Sequence, residues 1–231
     1  MNNIFKQDRH SFLACLCKIV SIFIFTFSCI LILNSCQTRF DNIANINNIT
    51  GEKIIALGDS ITAGYGLEQE QAYPYLLSQK LNLPVINVGV SGDKTSDALA
   101  RLPEDVLTKN PWMVIVALGG NDFLKKVPKT TTEQNLREII SQIQTEKAIV
   151  VILGMNLGLF TDEYQDLYQR VAEETHSFLI PQVLKGIIDN PKHRQQDIIH
   201  PNNIGQEILA DKIAKSLKPL LKQVQLPVSL K

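Results

Sequence analysis

The stretch Asp197-Ile198-Ile199-His200-Pro201-Asn202 sets an imidazole three residues after a carboxylate and directly before a proline. Proline disfavours helical backbone at the residue before it, so His200 is expected on a loop, with the last helix starting beyond it. Asp197 can reach back to one ring nitrogen and leave the other for a partner on the substrate side. That pattern suits a general base with an orienting acid, and it needs a hydroxyl to activate. Two serines qualify. Ser60 closes the run Ile54-Ile55-Ala56-Leu57-Gly58-Asp59-Ser60, and Ser91 stands in Gly89-Val90-Ser91-Gly92. A serine at a strand-to-helix junction is also an ordinary helix N-cap, so position alone leaves both roles open. Two further histidines fit the base less well. His176 follows Glu173-Glu174-Thr175 at an expected helix end, and His193 lies in the basic loop Asn190-Pro191-Lys192-His193-Arg194.

Such groups need a scaffold. Short apolar runs rich in valine and isoleucine recur at Ile54–Leu57, Val85–Val90, Met113–Leu118 and Ile149–Leu153, with Ser177–Ile180 as a shorter fifth. Runs without alternation fit strands covered on both faces of a parallel sheet. Amphipathic stretches lie between them. One starts at Thr131, where Thr131-x-x-Gln134 can form a capping box. Another starts at Thr161, and a last one near Asn203 lines up Ile204, Ile208, Ile213, Leu217 and Leu220. The alternation predicts a three-layer α/β/α domain around a mostly parallel five-stranded sheet. Such sheets bind ligands beyond the carboxyl ends of their strands. Those ends read Gly58-Asp59-Ser60, Gly89-Val90-Ser91-Gly92-Asp93, Gly119-Gly120-Asn121-Asp122 and Gly154-Met155-Asn156, each a glycine beside polar groups.

Other chemistries lack their signatures. No Gly-x-Gly-x-x-Gly follows the first strand and no Gly-Lys-Ser/Thr is present, which excludes the dinucleotide and P-loop readings. Thr62 stands where a Gly-x-Ser-x-Gly elbow would need its second glycine, against an ordinary α/β-hydrolase. The first 35 residues form a separate region. Lys6, Arg9 and Lys18 oppose a single acid, Asp8, and the apolar run Ile19–Leu33 follows, as in an export signal. All 4 cysteines (Cys15, Cys17, Cys29 and Cys36) fall at or before position 36, so the body beyond them has no disulfide or thiolate metal site. From Cys36 onward there are 20 basic and 22 acidic residues, a balance without the basic face that nucleic acid requires. The sequence thus divides into an export signal over 1–35, a polar asparagine-rich tether over 36–52, a domain over 53–222 and a tail over 223–231.

Four blocks together resemble the SGNH (GDSL) hydrolase family. Gly58-Asp59-Ser60 matches its nucleophile block, and Gly92 in Val88-Gly89-Val90-Ser91-Gly92 its glycine block. Gly119-Gly120-Asn121-Asp122 matches its asparagine block, and Asp197-Ile198-Ile199-His200 its acid–base block. "SGDKTSDALARLPEDVL" and "ALGGND" are similar to the bacterial arylesterase and thioesterase/lysophospholipase branch. The resemblance implies a flavodoxin-like sheet and a serine esterase without cofactor or metal. It implies Ser60 as nucleophile, His200 as general base and acid, and Asp197 as its orienting partner. Ser60, Gly92 and Asn121 are then the oxyanion donors. Implied substrates are aryl or short-chain acyl esters, thioesters or lysophospholipids. Acyl transfer, deacetylation of sugars and an idle binding protein are the alternatives. Leu33-Asn34-Ser35-Cys36 resembles a bacterial lipoprotein signal, so Cys36 is the expected lipidation site. The expected protein is a monomer without nucleic-acid partners, exported to the periplasmic side of a membrane and held there by lipid or by its N-terminal segment.

Overall fold

The computed structural model describes residues 40–155 and 162–227. The export signal, Cys36, the last four residues of the tail and the apolar residues Leu157, Leu159 and Phe160 beyond the fourth strand run lie outside the described residues. Five strands form the sheet: β1 (Lys53–Gly58), β2 (Val85–Gly89), β3 (Pro111–Ala117), β4 (Ile149–Leu153) and β5 (Phe178–Ile180). All neighbouring pairs are parallel, in the order β2-β1-β3-β4-β5. The direction of strand addition reverses between β1 and β3, which opens a crevice at their carboxyl ends. Helices α1 (Ser60–Ala63), α2 (Tyr73–Leu81), α3 (Thr95–Asp105), α4 (Gly120–Leu124), α5 (Lys129–Thr145), α6 (Asp162–Glu174) and α7 (Asn203–Leu221) complete the α/β layers.

Burial follows strand position. Every residue of β3 and β4 is buried, as an unalternating valine and isoleucine run requires between two helical layers. The edge strand β2 is half-buried throughout, because only β1 pairs with it. Two helices depart from expectation. α5 begins at Lys129, with Pro128 and not Thr131 at its N-cap. On α7 the buried stripe runs through Gln206, Leu209, Ile213, Leu217 and Leu220. Ile204, expected on that stripe, falls off it and is exposed.

The expected tether also needs correction. From Asn42 onward the chain belongs to the folded unit. Ile43 and Ile46 are buried, and the Ala44 N–H donates to the His176 carbonyl at 2.8 Å. Asn45 adopts a left-handed conformation, φ 64°, and its amide donates to the carbonyls of Gln144 (3.0 Å) and Ala148 (3.1 Å). Those carbonyls flank the end of α5, where helical partners run out. At position 45 asparagine supplies both the left-handed backbone and the missing donor, so this residue marks packing and not solvation, while Asn42, Asn47 and Asn48 remain exposed. Asn45→Ala should therefore lower the unfolding free energy by about 2–3 kcal/mol in denaturant titration, from two lost hydrogen bonds and αL strain. A free tether would leave it unchanged.

Candidate active site

Asp59 and not Ser60 caps the helix after β1. Its carboxylate accepts from the Ile61 N–H at 3.0 Å, which satisfies the opening turn of α1. Ser60 is the first helical residue, and its hydroxyl is left for other work. The turn is tight: a Cβ on Gly58 would lie 2.1 Å from Thr62 Oγ1, so only glycine fits there. Burial pushes the Asp59 carboxyl up to about 6, although the Ile61 N–H and nearby His200 favour its charged form.

The acid–base loop reaches the same point from the far end of the chain. His200 Nε2 lies 2.8 Å from Ser60 Oγ, and His200 Nδ1 lies 2.7 Å from Asp197 Oδ2. The other Asp197 oxygen accepts the backbone N–H groups of Ile199 (3.1 Å) and His200 (3.0 Å). Desolvation raises the Asp197 carboxyl, but its bonds from the His200 ring and from these two N–H groups prevail and hold it below the usual carboxylate value. Ile198 adopts a left-handed φ of 68° to fold the loop this way, an unusual conformation for a β-branched residue. Behind the loop, the Gln195 N–H donates to the His200 carbonyl at 2.8 Å. The Tyr65 ring packs against the imidazole with centroids 4.7 Å apart. Gln206, six residues on, is buried; its amide donates to the Ile61 carbonyl and accepts from the Tyr73 N–H, both at 2.9 Å. α7 and α1 are thereby joined beside Ser60.

The third wall comes from the ends of β2 and β3. Gly92 has φ 90° with open space where a Cβ would stand, so conformation and not crowding demands glycine. Asn121, second in α4, donates one amide hydrogen to the Asp93 carbonyl at 3.0 Å, which leaves the other for the cavity. Arg101 on α3 ties these parts together. It bonds Asp93 at 2.7 Å, Asp105 at 2.8 Å and the Gly58 carbonyl at 3.3 Å. Buried Asp122 accepts from the Thr95 N–H at 2.9 Å and the Thr95 hydroxyl at 2.5 Å, locking α4 to α3. Ser60, Gly92, Asn121 and His200 line one cavity of about 270 Å³ with Ile61, Tyr65, Leu124 and Met155 on its apolar side. The arrangement can deprotonate a hydroxyl and offer donors to an oxygen that gains charge.

Residues 56–208 match the GDSL-like lipase/acylhydrolase family. The chain belongs to that family. Among proteins it resembles is thioesterase 1/protease 1/lysophospholipase L1 of Escherichia coli K12, 33% identical over 177 residues, covering 74% of this chain and 85% of that protein. An arylesterase of Vibrio mimicus is 35% identical over 176 residues, 72% and 88% of the two chains. A solved structure of TesA superposes with a TM-score of 0.68 at 30% identity, covering 73% of this chain and 99% of that one. This member of the GDSL-like family is therefore an ester hydrolase with the SGNH fold.

Other sequence candidates fall elsewhere. Ser91 lines the cavity, yet the imidazole bonds Ser60. His176 is exposed at the end of α6, and His193 is half-buried with its Nδ1 at 2.9 Å from the Gly186 carbonyl. Among the described residues no group of three or more His, Cys, Asp or Glu is placed to hold a metal ion. Sequence reasoning missed Tyr65, Arg101 and Gln206. Each is tied to the site by a contact 43 to 145 residues away: Arg101 to the Gly58 carbonyl, Tyr65 to His200, and Gln206 to Ile61 and Tyr73, so the Arg101–Asp93 and Arg101–Asp105 pairs alone do not announce that role. One local cost is testable. Ile198→Gly removes about 1–2 kcal/mol of left-handed strain and adds about 0.5–1 kcal/mol of unfolded-state entropy. Chemical denaturation should show a net gain of up to about 1.5 kcal/mol.

Proposed function

We propose that this esterase hydrolyses esters through an acyl-enzyme on Ser60, and one observation carries the reading: Asp197, His200 and Ser60 form a continuous hydrogen-bonded chain at the cavity wall. His200 Nε2 takes the Ser60 proton as Oγ attacks the ester carbonyl. The carbonyl oxygen becomes an oxyanion, held by the N–H groups of Ser60 and Gly92 and the free Asn121 amide hydrogen. The imidazolium then gives its proton to the departing alkoxide or phenolate, and the acyl group stays on Oγ. A water attacks the acyl-enzyme with the same proton traffic in reverse and releases the acid. Asp197 fixes the ring with its Nδ1 hydrogen toward the carboxylate and stabilises the imidazolium. Asp59, when ionised, adds a second negative charge near the ring.

The relatives are named for aryl esters, thioesters and lysophospholipids, and the apolar side of the cavity suits an aryl or acyl group. Our reading is the same range, with aryl and short acyl esters as the simplest members. Ser60→Ala and His200→Ala should each abolish turnover of a soluble aryl ester. Asp197→Ala should retain about one to two orders of magnitude more activity than either, because the acid orients and does not transfer the proton. Turnover should fall on the acid side, since a protonated imidazole cannot accept the Ser60 proton. Wild-type turnover in His200→Ala would defeat the assignment.

Export belongs to the same proposal, on the basic and apolar leader and Leu33-Asn34-Ser35-Cys36. The mature chain then begins at a lipidated Cys36 on the periplasmic side of a bacterial membrane. No helix among the described residues is long and apolar enough to cross a membrane. Intact-mass analysis of membrane-fraction protein should give a chain starting at Cys36 with added acyl mass. A start at another residue would reject lipidation.

A further inference from the structure

Six large apolar side chains are exposed among the described residues: Tyr65, Tyr75, Val90, Leu124, Ile198 and Ile204. Two of them line the catalytic cavity, two more adjoin a lining residue along the chain, and a fifth lies four residues after His200. Tyr65 and Leu124 line the cavity itself. Val90 precedes Ser91 and Ile198 precedes Ile199, both of which line it. Ile204 stands in the first turn of α7, four residues after His200. Tyr75, on α2, has no cavity-lining chain neighbour.

Ile198 gives this rim a physical signature. Its left-handed φ of 68° strains a β-branched residue, and its side chain is 52% exposed, so the fold recovers little of that cost by burial. Glycine would serve the Asp197–His200 turn better. Beside Leu124 stand Lys125 and Lys126, both exposed. An exposed leucine followed by two exposed lysines matches a surface with acyl chains below and anionic headgroups above. The covering body must also deliver a carboxylic ester to Ser60. A protein surface offers amides, whereas a lipid surface holds esters at the depth these side chains would reach.

We propose that the mouth of the cavity docks onto an anionic lipid surface, with Tyr65, Val90, Leu124, Ile198 and Ile204 among the acyl chains and Lys125 and Lys126 on the headgroups. The inference rests on the ester-hydrolase reading and adds a second, local membrane contact that is independent of the N-terminal segment. It also accounts for the retention of a strained isoleucine: stability is given up for contact with substrate-bearing lipid.

The test uses the full chain, so that the N-terminal segment contributes equally to every protein compared. Rates are measured on a soluble short-chain aryl ester and on a long-chain aryl ester embedded in phosphatidylglycerol or phosphatidylcholine vesicles. The variants are Val90→Ser/Ile204→Ser and Lys125→Glu/Lys126→Glu. The double apolar variant should keep the soluble-ester rate within about twofold and lose at least about tenfold on both vesicles. The lysine pair should lose activity on phosphatidylglycerol vesicles alone. Equal vesicle rates in wild type and the double apolar variant overturn the docking surface, as does a parallel loss on soluble ester, which would make these residues structural. A wild type inactive on the soluble ester would instead remove the hydrolase reading beneath it.

Discussion

The buried amide of Gln206 holds the site together. It satisfies the Ile61 carbonyl and the Tyr73 N–H at once, and all three groups lie where water cannot replace a lost partner. An unmet buried amide or carbonyl costs roughly 1–3 kcal/mol, so the two ends of the chain have strong reason to stay in register. The 2.8 Å bond from His200 to Ser60 spans 140 residues and could not be kept by an exposed loop alone. Fixing α7 against α1 just behind both residues gives the loop a rigid base, which is what a catalytic constellation requires.

A second polar cluster does the same for the wall proposed to hold the oxyanion. Arg101 draws on Asp93, Asp105 and the Gly58 carbonyl, so the ends of β1 and β2 and the body of α3 move as one. Asn121 is aimed by the Asp93 carbonyl and therefore inherits that order. Asp122, the next residue, fastens the same short helix through Thr95. Donors fixed in advance pay no reorganisation when charge develops, the main source of their catalytic value. The apolar sheet supplies the platform, but these few buried bonds set the distances.

The acid–base loop shows the opposite balance. Asp197 spends three hydrogen bonds on its own turn, and Ile198 bears the backbone strain that makes them possible. Local strain of this kind persists only where surrounding contacts over-determine it. Here the Gln195 bond to the His200 carbonyl and the Tyr65 ring against the imidazole supply those contacts.

The sequence by itself determined the strand runs, their α/β alternation and the short blocks carrying Ser60, Gly92, Asn121, Asp197 and His200. These are readable because hydrophobic periodicity and turn chemistry act over a few residues. It also contained an ambiguity, whether Ser60 caps its helix, that Asp59 resolves only through the bond geometry at Ile61. The packing of Asn42 to Glu52 was hidden for a related reason. Asparagines read as solvated linker until the carbonyls of Gln144 and Ala148, about a hundred residues on, are seen to need their donors. The shift of the α7 stripe off Ile204 likewise follows from which neighbours the helix meets. Tertiary structure decided every feature whose partner lies far along the chain, because burial and buried hydrogen bonding depend on what folds against a residue and not on what precedes it.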